Sequence, residues 1–239
     1  MAADMTAWGF PAGGIAIIIG AKGGIGCALV DAAQQSGQFN GVLALSRSSN
    51  PALEIESEAA IREAAQHAAA QGETRLVIDA TGFLHGDGFK PEKSWRDLDP
   101  SHMAKSFAVN AIGPALLMKH FLPLLPRAGK SVFATLSAKV GSITDNRLGG
   151  WYSYRASKAA LNQLIRTAAV ELKRSHPEAL CVAIHPGTTD TILSAPFSKA
   201  GLRVQTPEAA AAAIMAFLNR LRFDAAGGFF DRTGEHLQW

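Results

Sequence analysis

Short apolar runs alternate with longer segments of helical period along this chain. Ile15–Ile19 is β-branched, apolar throughout and closed by Gly20, the pattern of a strand buried on both faces. Gly41–Leu45 and residues 75–80, 130–136, 180–185 and 228–230 predict further strands, and the alternating stretch 52–56 predicts a short third one. Between them, helical periodicity runs from the turn at 20–26 to Ser36, and over Glu58–Gln71, 100–125, 151–174 and 206–221.

Regular alternation of strand and helix predicts an α/β fold: a doubly wound parallel sheet of about seven strands, helices on both faces. No repeat, low-complexity tract or linker divides the chain, so one domain over 1–239 is expected. Residues 48–51 leave no room for a parallel crossover, which needs a dozen residues or more. The helix between strands two and three is therefore expected to be deleted. Long polar loops at 83–99, 139–150 and 192–205 are the expected walls of a cleft, with Ala195-Pro196-Phe197 as an apolar lid.

Composition narrows the picture. An apolar share of 48% against 18% charged suits a filled core, and the net charge of +3 comes from scattered basic residues. Neither nucleic acid nor an acidic membrane surface is implied as a partner. The run at Ile15–Ile19 is too short to span a bilayer and no basic leader precedes it, so a cytoplasmic protein is expected. Cys27 and Cys181 sit in apolar surroundings and read as buried free thiols. His85, His102, His120 and His185 show no metal-ligand spacing, and no metal is expected.

Two stretches carry candidate chemistry. Tyr154 and Lys158 stand four apart in the helix predicted over 151–174, so both lie on one face. An ammonium beside a phenol favours the phenolate and draws its pKa down from ~10, which suits proton exchange with a carbonyl/alcohol pair. Tyr152 has Ala156 at the same spacing and no such neighbour. The second stretch, Gly20-Ala21-Lys22-Gly23-Gly24-Ile25-Gly26, joins a strand to a helix, where backbone N–H groups can hold a pyrophosphate. Arg47, with no acidic residue after the second strand, suits a 2′-phosphate, and Lys22 adds a second positive charge. NADP(H) is therefore favoured over NAD(H).

Together these motifs resemble the short-chain dehydrogenase/reductase family over essentially the whole chain. Gly20, Gly24 and Gly26 match its glycine-rich turn, Asn110 its helix asparagine, Tyr154 and Lys158 its YxxxK, and Pro186-Gly187 with Thr191 its segment after the sixth strand. The stretches 145–150, 185–191 and 228–231 look most like the bacterial C-factor-like, cell-signalling branch. The resemblance implies Tyr154 as acid/base and Lys158 as the group that lowers its pKa and holds the nicotinamide ribose. Asn110 would hold a water relay, and Ser137 would bond the substrate oxygen, with Ser142 as a rival because Ala138 occupies the family's usual serine position. Ala80, Thr81 and Gly82 follow the next strand, where Asp79 replaces the family's asparagine; Ile25 and Glu56 complete the implied cofactor contacts. It further implies a carbonyl/alcohol substrate and a homodimer or homotetramer built on the two long helices. A signalling or regulatory dinucleotide-binding protein, with incidental turnover, is the alternative.

Overall fold

The computed structural model describes residues 9–86, 88–195 and 204–239. Its centre is one parallel sheet in the order β2-β1-β3-β4-β5-β6. The strands are β1 (Ile15–Ile19), β2 (Gly41–Leu45), β3 (Thr74–Asp79), β4 (Ser131–Leu136), β5 (Ala179–His185) and β6 (Phe229–Asp231). Pairing is in step, with Ile17 opposite Leu43 and Val77, and Ala134 opposite Val182.

Strand alternation divides the core into two layers. Ile17, Val77, Phe133 and Cys181 face α2 (Glu58–Gln71), α4 (Gly113–Phe121) and α5 (Tyr152–Ser175). Ile18, Ile78, Ala134 and Val182 face α1 (Gly24–Gln35) and α6 (Pro207–Arg220). Helices thus cover both faces, and β1, where the strand order reverses, is the switch point at which such sheets open a cleft.

Three expectations change. Among the described residues the sheet has six strands: 52–56 is not one. Its alternation is real, since Leu53 and Ile55 are buried, but the backbone folds back locally instead of pairing, with Leu53 N donating to Ser46 O at 2.8 Å. The connection is too short to carry a new strand past β2, so β2 is the edge and α2 is the crossover helix that the sequence pattern placed one strand later. Secondly, the helix expected over 100–125 runs over Pro100–Leu124 but is not uniform: α3 (Pro100–Phe107) passes through a π-turn at Ala108–Ile112 into α4. Pro100–Leu124 is long and apolar enough to cross a membrane by composition, yet here it packs on the sheet and on α5. Thirdly, Cys27 is exposed on α1, and only Cys181 is buried, its thiol pushed well up by desolvation. Position 27 falls outside the stripe Gly26, Ala28, Leu29, Ala33 that faces the core.

Candidate active site

The glycine-rich turn is built by close backbone approach. A Cβ on Gly26 would lie 2.1 Å from Gly20 O, so no side chain fits there. Gly20 has φ of 79°, and its N–H donates to Leu45 O at 2.9 Å, tying the turn to β2. The first N–H groups of α1 follow with no side-chain cap and no acidic residue in the first turn. That is a cradle for an anion. Gly24 carries a different constraint: its Cβ would meet Thr191 Cγ2 at 2.9 Å, so the segment after β5 closes on this turn.

Beside the turn, at the carboxyl ends of β1, β2 and β3, opens a cavity of about 670 Å³. Gly20, Lys22, Arg47 and Glu56 line it, as do Ala80, Thr81 and Gly82. Lys22 and Arg47 are exposed. Glu56 is ion-paired with Lys105 at 2.5 Å on the wall formed by 52–56 and α3. Ile25, Asn110, Tyr154, Lys158, Pro186, Gly187 and Thr191 lie outside its lining.

Asn110 sits fully buried in the π-turn. Its amide holds the Phe83 backbone at both ends, accepting from Phe83 N and donating to Phe83 O, each at 2.8 Å, and it donates to Ser157 Oγ at 3.1 Å. The local widening of the helix places one side chain across to β3's exit and to α5 at once. Gly82 lies against it: a Cβ there would be 3.8 Å from Asn110 Oδ1 and 4.0 Å from Lys158 Nζ.

Lys158 is buried, donates to Leu136 O at 2.7 Å and lies 5.9 Å from the centre of the Tyr154 ring. Burial lowers its pKa to about 8, with Asp79 pulling the other way. Tyr154 is half-buried, and desolvation pushes its phenol up to about 12. The expected fall towards neutrality is therefore not realised. The ammonium is engaged by a carbonyl, and the cost of charging a half-buried phenol outweighs its pull.

Asp79, the departure from the family asparagine, is fully satisfied. It accepts from Thr81 N at 3.0 Å, Thr81 Oγ1 at 2.6 Å and Thr135 Oγ1 at 2.7 Å. Thr135, its register partner on β4, supplies the donor that lets a carboxylate stay buried there.

Ser137 and Ser142 are both engaged by other groups of the chain. Ser137 lies on the α5 face of the sheet and donates to Asn162 Oδ1 at 2.6 Å. Asn162 is eight residues beyond Tyr154, about 12 Å along the helix axis. Ser142 Oγ accepts from Asp145 N at 3.1 Å and caps a turn. Asn162 was not among the expected site residues; its place four after Lys158 on an apolar stripe is the signal that could have found the first contact.

On the far side, Pro186 O accepts from Gln205 Nε2 at 2.6 Å and Gly187 adopts φ of 80°. Thr191 N donates to Ser194 Oγ at 3.2 Å, and His85 Nε2 lies 3.1 Å from Leu193 O, so the stretch 191–195 spans from Gly24 to the loop after β3. Pro196 and Phe197 of the expected lid lie outside the described residues.

Residues 20–216 match the family described as enoyl-(acyl carrier protein) reductase. The chain belongs to the short-chain dehydrogenase/reductase family of oxidoreductases. It is 31% identical to the C-signal of Myxococcus xanthus over 144 residues, 60% of this chain and 82% of that protein. It is 29% identical to the 1-hydroxy-2-glutathionyl-2-methyl-3-butene dehydrogenase of Rhodococcus sp. (strain AD45) over 189 residues, 79% of each. In fold it is similar to an NADPH-bound carbonyl reductase from chicken fatty liver, with a TM-score of 0.82 and 24% identity over 97% of this chain and 96% of that one.

Proposed function

We propose that this protein is an NADP(H)-dependent oxidoreductase that reduces a carbonyl compound, or runs the reverse, with Tyr154 as the proton donor. The observation that carries the reading is Tyr154 and Lys158 on one turn of α5, beside Gly82 and Asn110 at the exit of β3. When bound, the nicotinamide cofactor supplies the hydride. The anion cradle at Gly20 to Gly26, through the backbone of Gly24 and Ile25, fits its pyrophosphate. Glu56, Ala80, Thr81 and Gly82 face the adenosine side, and Lys22 and Arg47 take the 2′-phosphate. Pro186, Gly187 and Thr191 orient the carboxamide.

A phenol whose pKa stands near 12 is protonated at neutral pH, the state that reduction requires. Lys158, with a pKa of about 8, can stabilise the phenolate left behind and return its proton. Asn110 fixes Gly82, Phe83 and Ser157 around this ammonium, and the relay water would sit there. Ser137 serves the site through Asn162, by holding α5 on β4. A homo-oligomer built on α4 and α5 is supported by a shallow groove of about 560 Å³ between them, with Met118, Leu122 and Leu164 in its lining.

The test is loss of NADPH absorbance over a panel of ketones and aldehydes, for the wild type and Tyr154→Phe. The reading requires turnover that falls about 10²- to 10⁴-fold in the variant while NADPH still binds. Equal inertness of both proteins over the panel would favour the second reading, a dinucleotide-binding signalling protein with incidental turnover. The engagement of Ser137 by Asn162 and the likeness to C-signal speak for that alternative.

A further inference from the structure

The immediate neighbours of Tyr154 in sequence, Ser153 and Arg155, each anchor a loop. The first is 83–99. Its Glu92 is 2% exposed, and its carboxylate accepts from Ser153 N at 3.3 Å and from the Ser153 hydroxyl. His102 Nδ1 lies 3.4 Å from the same carboxylate, with its ring stacked on Phe89. The Glu92 carbonyl accepts from Trp151 N at 2.5 Å. No side chain of α5 itself caps its amino end; Glu92 does so from another part of the chain.

The second loop, 139–150, is held by Arg155. Nε donates to Gly150 O at 2.9 Å, Nη2 to Gly149 O at 3.1 Å and Nη1 to Val140 O at 3.1 Å. One planar fork therefore binds both ends of one loop, and burial draws the guanidinium pKa down from its usual value, with Asp145 opposing. The loops also touch each other: a Cβ on Gly150 would lie 3.3 Å from Glu92 O.

Between these anchors the chain enters α5 through three successive left-handed residues, Gly149, Gly150 and Trp151, with φ of 64°, 65° and 54°. The third is not glycine. A tryptophan keeps that conformation only where its surroundings over-determine it. Here the Glu92 carbonyl takes its N–H, Arg155 holds the two preceding carbonyls, and its ring meets Tyr154 edge-on at 6.3 Å and 73°.

We infer that Glu92 and Arg155 are positioning residues, which fasten both cleft-forming loops to the helical turn carrying Tyr154 so that loops and phenol move as one body. The inference rests on the oxidoreductase reading of Tyr154 for its consequence, not for its geometry. Neither residue touches the reacting atoms. Their effect is to fix the distance between the substrate walls and the proton donor, where displacements near 1 Å matter.

The full-length wild type, Arg155→Ala, Arg155→Lys and Glu92→Gln are compared in three ways. These are amide hydrogen exchange, acetylation of Tyr154 by N-acetylimidazole read by mass spectrometry, and steady-state reduction of the best carbonyl compound of the panel with NADPH. In Arg155→Ala, exchange over 141–150 should rise about tenfold or more while residues 160–172 stay protected, and Tyr154 should be acetylated several-fold faster. KM for the carbonyl compound should rise about tenfold with NADPH affinity within twofold. Arg155→Lys should recover little, because an ammonium cannot span three carbonyls. Glu92→Gln should speed exchange in 88–95 and acetylation of Tyr154 without moving 141–150. Unchanged exchange in Arg155→Ala, or faster exchange with Tyr154 acetylation at the wild-type rate, would overturn the inference. Absence of turnover in the wild type would count against the oxidoreductase reading alone, since exchange and acetylation need no substrate.

Discussion

The Ser137 hydroxyl donates to Asn162 Oδ1 at 2.6 Å, which binds the end of β4 to α5 at a point two helical turns past Tyr154. Removing it strands a buried acceptor, and Asn162 Nδ2 is already without a protein partner. Ser137→Ala should therefore lower unfolding free energy by about 1–3 kcal/mol. Activity should fall less than about tenfold, where loss of a group touching the substrate oxygen would cost 10² or more. Urea midpoints and kcat/KM for the same variant separate the two roles.

Asp79 opposes the desolvation of Lys158. Asp79→Asn keeps the shape and two acceptor positions but removes the charge. The pKa of Lys158 should then drop further, and the basic limb of the pH–rate profile should move to lower pH. At pH 8 the variant should lose roughly threefold to tenfold relative to its own activity at pH 6.5. A profile parallel to that of the wild type would show that Lys158 does not feel this carboxylate.

Arg47 is exposed at the end of β2 and has no acidic neighbour in 45–49 to accept ribose hydroxyls. Arg47→Asp should weaken NADPH binding about tenfold or more and leave NADH within about twofold. Titration of nucleotide fluorescence reads both constants, and equal losses would count against the assignment.

His185 is held neutral by burial, its pKa lowered to about 4, with Asp231 opposing and Lys139 and Arg232 adding to the shift. Unfolded, it titrates near 6.5. Between those values the unfolded chain binds more protons, so stability is full above pH 6.5 and falls as pH drops towards 4. The loss is on the order of 3 kcal/mol. His185→Gln should flatten this part of the curve, as measured by urea unfolding at pH 7 and pH 4.

The sheet and the Tyr154–Lys158 pair were legible because both depend on local period. Apolar runs report burial on both faces, and a four-residue spacing reports one helical face. Residues 52–56 misled for the same reason: alternation records which side chains are covered, not whether a neighbouring strand exists, and Leu53 and Ile55 are covered without one. The π-turn at Asn110 has no composition of its own, so the sequence shows the helix over 100–125 but not its local widening.

Parity along β4 sets Ser137 and Ala138 on opposite faces of the strand, and the bond from Ser137 to Asn162 on α5 could not be read from that alternation. The phenol's pKa was misjudged because spacing gives proximity but not solvation. Glu92 had no local signal at all. Its partners, Trp151 and Ser153, lie about 60 residues away, and a lone glutamate in a polar loop looks like any solvated one.

After β1 has β2 on one side, every later strand joins the opposite edge in the order of the chain: β3, then β4, β5 and β6. Among the described residues no strand is threaded between two that already pair. A chain emerging from its amino end can thus extend the sheet by accretion at a single growing edge. The anion cradle after β1 has its surrounding strands, β1, β2 and β3, before the helix bearing Tyr154 has been synthesised.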